Sequence, residues 1–478
     1  MPSGVALMCS AIVGAIMSAI FSKTDLSLRQ FIDGGFGYFD TILVIVAAMI
    51  FIVALEKSGA LEYFSVLLVK TFKNFPTLLL ICFMIILMLP GMITGSSLSS
   101  VISVGAIVAP IMLKMGIPKA KTGAIIAFGA ILGMIAPPVN VPVIAICDVV
   151  DIPYTGFTLP LLLLTFPIAI FAVLFLSREY NFRNILNKKD WLETIIVLGI
   201  LGIGVGALAI LTIVNHNKMA VDSTLANTYK TYLYLTILLG AIYLGIVVIM
   251  LIGKPYSEKI NLEEFGETIN LEINKELNVT CLIPLFLIVI LYVGQTLLPR
   301  IIGILGSPLL FLIATIPAFF TGRKANPIYT LKEGVSESFG AMSLLIGVGM
   351  FMQVMTLSGV RGWFVINAIS LSSFWQYISM IIALPIFGGI SAFGSASILG
   401  GPYVMALIAL NETIIASSCS LLAGMGELLP PTAMSANLAA KKVDDKYLNI
   451  TKAGVVPLVL TIIYAMTFVI LISTVWAL

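Results

Sequence analysis

The sequence predicts an all-α polytopic membrane protein made of two inverted-topology repeats, with re-entrant helical hairpins and interrupted helices. Three observations predict it. Of 478 residues, 60% are hydrophobic and only 10% charged, where a soluble domain typically carries about 25% charged residues. Apolar runs of 17 to 23 residues recur along the chain, the length that crosses about 30 Å of hydrocarbon. Finally, three landmarks occur twice in the same order, which marks an internal repeat.

In chain order, the first apolar run (4–21) lacks a basic leader and a small-residue cleavage site, so it reads as a retained helix rather than a signal peptide. The chain opens at Met1-Pro2 with no flank before that helix, and a few further residues are expected ahead of it. Runs at 40–56, 158–176, 192–214, 232–252, 280–298 and 455–475 each suit a span. The stretch LEYFSVLLVKTFKNFP (61–76) mixes apolar and aromatic residues with Lys70 and Lys73, as in an amphipathic helix lying along the inner interface. A central connector, 178–338, carries four more apolar spans and two polar loops; 254–278, rich in Glu and Lys, reads as a solvated cytoplasmic segment.

The repeat rests on particular residues. FDTILVIVAAMIFIVALEKSGALEYF (39–64) aligns without gaps on FGAMSLLIGVGMFMQVMTLSGVRGWF (339–364), so that Phe39, Phe51, Ser58, Gly59 and Phe64 meet Phe339, Phe351, Ser358, Gly359 and Phe364. Each half next has a Gly/Ser break in an apolar hairpin, TGSSLSS (94–100) and FGSAS (393–397). Each then has a double proline, GMIAPPVN (133–140) and GELLPPTAM (426–434). The first repeat is therefore 1–177, with a hairpin at 77–113 and an interrupted helix at 122–150. The second is 339–478, with a hairpin at 377–410 and an interrupted helix at 413–440. If the halves are inverted and the N-terminus is cytoplasmic, inside segments hold 20 Lys and Arg, and outside segments hold six: Lys23, Arg29, Lys218, Lys230, Arg300 and Arg361. That bias obeys the positive-inside rule.

The chemistry is expected at the breaks. Lipid offers no hydrogen bonds, so irregular backbone survives at membrane depth only inside protein or beside water. Four breaks fall within spans: Thr94–Ser97, Pro137–Asn140, Gly394–Ser397 and Pro430–Thr432. Positive helix ends at such breaks can face a carboxylate, and freed carbonyls and hydroxyls can coordinate a sodium ion. Candidate substrate contacts are Thr94, Gly95, Ser96, Ser97, Asn140, Gly394, Ser395, Ser397, Pro431 and Thr432. Glu427 stands in an apolar stretch between Gly426 and Pro430, and ionisable residues at such depth are functional candidates. It can neutralise a cation or relay a proton, or it can sit near a water-filled end and only accept hydrogen bonds; its repeat counterpart is Met134. Asp148 and Asp151 are expected at the outer surface, and Asp40, Glu56 and Gln353 at interfaces or in packing.

Other chemistries find little footing. Cys9, Cys82, Cys147, Cys281 and Cys419 are odd in number and lack metal-like spacing, so they read as free thiols. The one histidine, His216, is expected in a polar loop, which leaves no zinc or histidine-based site. A net charge of +3 without basic-aromatic patches argues against nucleic acid. An intramembrane enzyme would need catalytic aspartates, a histidine pair or a Ser/Lys dyad, and the sequence offers none of these; an assembly scaffold would not need matched polar breaks.

At SGALEYF (58–64), TGSSLSSVISVGAIVAPIMLKMG (94–116) and GMIAPPVN the chain resembles the large membrane (permease) subunit of tripartite ATP-independent periplasmic (TRAP) transporters, within the ion transporter superfamily. The resemblance is carried by Gly95, Ser96, Ser97, Gly105, Pro110, Gly133, Pro137 and Pro138, and covers most of 1–177 and about 339–478. It implies an elevator-type fold, sodium as coupling ion with no other cofactor, and small organic acids of the C4-dicarboxylate or sugar-acid type. Sodium contacts would map onto Ser96, Ser97, Pro137, Asn140, Gly394, Ser395, Glu427 and Thr432. Two protein partners are implied, a small four-helix membrane subunit and a periplasmic substrate-binding protein, in a bacterial inner membrane. The middle departs from the family pattern: no Pro-Thr-Glu motif opens the second half, and 192–298 looks foreign to it. A stand-alone proton- or sodium-coupled symporter or antiporter of the same superfamily, without a binding protein, is the alternative.

Overall fold

A computed structural model describes residues 3–22, 28–72, 75–178, 188–219, 226–252, 277–297, 305–407 and 409–476, all as helices and their connections. Among the described residues, eight helices are long and apolar enough to cross a membrane. The chain is thus an all-α polytopic membrane protein. The expected loop at 254–278 lies almost wholly outside the described residues.

The first half runs α1 (Ser3–Ser22), α2 (Leu28–Phe36), α3 (Phe39–Ser58), α4 (Ala60–Phe72), α5 (Pro76–Thr94), α6 (Ser97–Ile102), α7 (Val104–Lys114), α8 (Lys119–Ile135), α9 (Val141–Val150) and α10 (Thr158–Leu176). The middle holds α11 (Lys188–Met219), α12 (Ala226–Ile252), α13 (Ile283–Leu297) and α14 (Ser307–Thr315). The second half runs α15 (Pro327–Leu357), α16 (Val360–Ser370), α17 (Ser373–Gly388), α18 (Ala392–Ser395), a π-helical turn (Ala396–Gly400), α19 (Gly401–Ala406), α20 (Glu412–Met425), α21 (Met434–Val443) and α22 (Tyr447–Ile472). From α3 onward, each element of the first half has a counterpart in the same order from α15 onward.

Two middle elements differ from expectation. His216 lies in the last turns of α11 rather than in a loop, because the helix that carries the apolar run to Val214 continues through the polar residues 215–218 to Met219. The run at 280–298 is a 3-10 turn, Val279–Leu282, followed by the 15-residue α13, and α14 has nine residues. At about 1.5 Å per residue in the α-helix and about 2 Å in the 3-10 turn, Val279–Leu297 comes to about 30 Å, enough for a span, whereas α14 with the 3-10 turn that follows it (Ile316–Phe319) falls short. Helix α15 runs unbroken from Pro327 across position 339.

Glycine sets the joints. After α3 and after α15 the chain turns at Gly59 (φ 78°) and Gly359 (φ 77°), the left-handed region that only glycine enters freely. The helices that follow diverge: α4 buries Leu61, Ser65, Val66 and Val69 along one face, the stripe of an amphipathic helix, whereas α16 buries no residue. Asp40, Glu56, Asp148 and Asp151 are exposed and Gln353 is half-buried.

The core lies around the two interrupted helices. Every residue of α8 from Thr122 to Ile135 is buried, and so is every residue of α20 from Ile414 to Met425. Each hairpin helix meets its interrupted helix glycine to glycine. A Cβ on Gly91 would lie 2.7 Å from the Met134 nitrogen, and one on Gly133 would lie 2.7 Å from the Met88 Cα. In the second half a Cβ on Gly426 would stand 2.5 Å from the Gly388 Cα. Backbones this close leave no room for a side chain, and small residues at such seams are how membrane helices pack tightly.

Gly133→Val should therefore overpack the α5–α8 seam and cost about 1–3 kcal/mol, read as a lowered Tm in detergent. Gly362→Ala, whose added Cβ meets nothing within 4 Å, should leave Tm unlowered. Equal Tm values would mean the seam is loose.

Candidate functional site

The first hairpin breaks where Gly95 takes a left-handed conformation (φ 64°) and Ser96 an extended one. The freed groups are satisfied locally. Thr94 Oγ1 donates to the Pro90 carbonyl (2.7 Å), accepts from the Ser96 N–H (3.2 Å) and pairs with Ser99 Oγ (2.7 Å). The Gly91 N–H donates to Ser100 Oγ at 2.7 Å. Pro90 and Pro385, interior prolines of α5 and α17, sit near the end of each. Ser391 caps the second break by accepting from the Gly394 N–H at 3.1 Å, and Ser395 Oγ donates to the Leu384 carbonyl at 2.8 Å.

Each interrupted helix breaks at a cis Pro-Pro peptide, Pro137–Pro138 and Pro430–Pro431. Asn140 spans the first of these gaps. Its Oδ1 accepts from the Val143 N–H (2.9 Å) at the start of α9, and its Nδ2 donates to the Ile135 carbonyl (2.7 Å) at the end of α8. One fully buried side chain thus serves the orphan groups of both helix ends. In the second half, Asn437 Nδ2 donates to the Thr432 carbonyl (2.6 Å) and Thr451 Oγ1 to the Leu428 carbonyl (3.0 Å).

Each hairpin tip docks on the break of its own half. The Val139 N–H donates to the Met92 carbonyl at 3.2 Å, and the Thr432 N–H and Oγ1 both donate to the Gly389 carbonyl, at 3.1 and 2.7 Å. The halves are then joined across the centre. Ser97 Oγ donates to Glu427 Oε2 at 2.5 Å, with Ser435 Oγ donating to the same oxygen, and Asn140 Nδ2 donates to Ser420 Oγ at 3.1 Å. Glu427 is buried, 4% exposed, and held by hydroxyls from both halves.

Beside this crossing lies a cavity of about 160 Å³. Its walls are Ser96, Ser97 and Leu98 from the first tip, Gly388 and Ile390–Phe393 from the second tip, and Glu427, Thr432 and Met434 from the second break. Gly340, Ala341, Ser343 and Leu344 of α15 close the remaining side. Helical runs begin at its wall at Ser97, Ala392 and Met434. The polar side chains there are Ser96, Ser97, Ser343, Ser391, Thr432 and one carboxylate, and among the described residues no Lys, Arg or His lines it. Such oxygens suit a hard cation such as sodium; an anion would meet hydroxyls, backbone N–H groups and helix N-termini.

Of the residues singled out in the sequence, Ser96, Ser97, Glu427 and Thr432 line this cavity, while Thr94, Gly95, Pro137, Asn140, Gly394, Ser395, Ser397 and Pro431 do not. Two of the four expected breaks, Thr94–Ser97 and Pro430–Thr432, therefore meet at one space; the second hairpin reaches it through Ile390–Phe393, just ahead of the expected Gly394–Ser397, and the Pro137–Asn140 break does not line it. Sequence reasoning missed Ser391, Ser435 and the small residues of α15. A serine three residues before Gly394 is a helix-start signal, and FGAMS (339–343) lay inside the aligned repeat but read only as a span.

In comparison with known proteins, the family model for "Tripartite ATP-independent periplasmic transporter, DctM component" matches residues 1–476. The match runs through 192–298, which corrects the reading of that stretch as foreign to the family. No curated protein matches the chain.

Asn140→Ala should strip three hydrogen bonds from a buried site and cost roughly 1–3 kcal/mol, seen as a lower Tm of purified protein. A Tm equal to that of the unaltered protein would mean water replaces the side chain at no loss.

Proposed function

The chain belongs to the tripartite ATP-independent periplasmic transporter DctM component family, and from that membership and the cavity we propose a sodium-driven permease subunit for small organic anions. The observation that carries the reading is the shared lining: the Ser96–Ser97 tip of one half and the Ser391 tip, Glu427 and Thr432 of the other face one space. A site built from both halves can be opened to either side when the halves have opposite orientation. We take α3–α10 and α15–α22 as those inverted repeats, in an inner membrane, with the N-terminus cytoplasmic and the hairpin-bearing helices moving as an elevator past α15. Sodium would be held by Ser97, Thr432, Glu427 and nearby carbonyls, and the substrate carboxylate by the hydroxyls and helix N-termini. Substrate would arrive through a secreted binding protein, with a small four-helix membrane subunit beside the permease.

Glu427 supports a second reading, proton coupling, since among the described residues it is the one ionisable side chain lining the cavity. Reconstitution separates the two. Uptake of a C4-dicarboxylate or sugar acid into liposomes, with its binding protein, should rise with an inward sodium gradient. An unchanged rate with choline in place of sodium, and uptake driven by a pH gradient, would replace sodium by protons. Glu427→Gln keeps an acceptor for Ser97 and Ser435 but removes the charge. It should slow transport by about tenfold or more, ~1.4 kcal/mol or above on the barrier, with folded yield unchanged. Full activity in that variant would make the carboxylate structural. If neighbouring genes encode no four-helix protein and no secreted binding protein, the permease works alone.

A further inference from the structure

A second cavity, of about 450 Å³, lies apart from the transport cavity, between α10, α12 and α22. Its lining takes Ile168, Phe171 and Phe175 from α10, Leu238 to Gly245 from α12, and Leu460 to Thr467 from α22. Each helix contributes a stretch of about two turns, so the groove is about 10 Å long. Among the described residues only two lining side chains carry polar atoms, and both are already engaged: Tyr464 OH donates to the Leu163 carbonyl (2.6 Å) and Thr467 Oγ1 to the Ile463 carbonyl (2.8 Å). An occupant thus meets a wall that is apolar in effect. Gly245 keeps it open, because a Cβ there would already reach ordinary contact distance, 3.6 Å, from Phe171 Cε2.

One end of the groove is charged. Phe175 lines it, and the half-buried guanidinium of Arg178 lies over the Phe175 ring, 4.3 Å from its centroid. Arg178 follows the last turn of α10, on the side that the positive-inside distribution makes cytoplasmic, the leaflet that carries anionic lipid. A two-turn apolar slot with a cation at one mouth complements an acyl chain with a phosphate at its head. We propose that this groove is a specific site for an anionic phospholipid of the inner leaflet, its chain between α10, α12 and α22 and its phosphate on Arg178. Helices α10 and α22 follow the interrupted helices of the two halves, whereas α12 belongs to the middle segment, so the lipid would fill the seam between them.

The test uses the full chain, with its membrane partner if purification requires it, in nanodiscs containing phosphatidylglycerol and phosphatidylcholine. Retained lipid is then quantified by native mass spectrometry. The protein should retain phosphatidylglycerol preferentially. Arg178→Gln should lower that preference about fivefold, the equivalent of ~1 kcal/mol for one basic residue near an anionic surface, and Arg178→Lys should restore it. Gly245→Leu should lower retention of both lipids by filling the slot, with folded yield and Tm serving as control. Unchanged preference in Arg178→Gln, or unchanged retention in Gly245→Leu, would overturn the proposal. So would loss of a co-purifying membrane subunit in Gly245→Leu with lipid retention intact, because the groove would then seat a protein helix.

Discussion

A helix that stops in an apolar interior leaves N–H and C=O groups with nowhere to turn, and this constraint governs the whole arrangement. The chain stops four times at such depth. At each stop a small polar side chain lies within a few residues: Thr94, Asn140 and Ser391 make hydrogen bonds to backbone at their own break, and Thr432 donates to the Gly389 carbonyl of the hairpin tip docked on its break. Asn140 is the most economical of them, since one amide serves a carbonyl of α8 and an N–H of α9. The hairpin tips complete the account by docking on the breaks, Val139 on Met92 and Thr432 on Gly389. Irregular backbone at these points is therefore stable without lipid contact, and polar groups gather there as a consequence.

Once polar groups are concentrated at the tips, glycine decides how close they come. The Gly91–Gly133 and Gly388–Gly426 seams bring each hairpin against its interrupted helix with no intervening side chain. Tight seams convert each half into a unit whose tip cannot shift without its break. At the centre, two hydrogen bonds then tie one unit to the other, Ser97 to Glu427 and Asn140 to Ser420. Both ties use short hydroxyls or amides, whose geometry tolerates little displacement, so a movement of the hairpin helices would carry both halves together.

Much of this was legible from sequence, for identifiable reasons. The Ser-Gly joints, the Gly/Ser tips and the double prolines are local signals, each forced by a backbone need that few residues meet, and so they locate three of the breaks to within a residue or two; the second hairpin instead breaks at Gly389–Ser391, and Gly394–Ser397 lie in α18 and the π-helical turn that follow. What the sequence withheld is which break faces which. Asn140 and Gly394 carry the same composition cues as Ser97 and Thr432, yet only the latter two line the cavity. Orientation around a helix axis and pairing between distant halves are tertiary facts with no local signature. The α15 wall shows the same gap from the other side: Gly340, Ala341 and Ser343 read as span residues because nothing in their spacing says what they face. His216 went astray for a different reason, since polar residues close to a helix end look like loop until the helix is seen to continue.

The electrostatics of the cavity carry the proposed coupling one step further. Among the described residues, its lining has a carboxylate and hydroxyls but no Lys, Arg or His. An organic anion placed there meets Glu427 in a space of about 160 Å³, where like charges repel far more strongly than in water. Helix N-termini offset only part of that, each equivalent to roughly half a charge that fades within a turn. A bound cation removes the conflict, because it pairs with the carboxylate on one side and the substrate on the other. In a wall with no fixed positive charge, the anion's affinity then rests on the ion that accompanies it, and by linkage the ion's affinity rests equally on the anion. A fixed arginine in the same wall would bind the anion regardless of the ion and would weaken that dependence. On this reasoning the absence of basic side chains from the lining is what would make uptake follow the ion gradient.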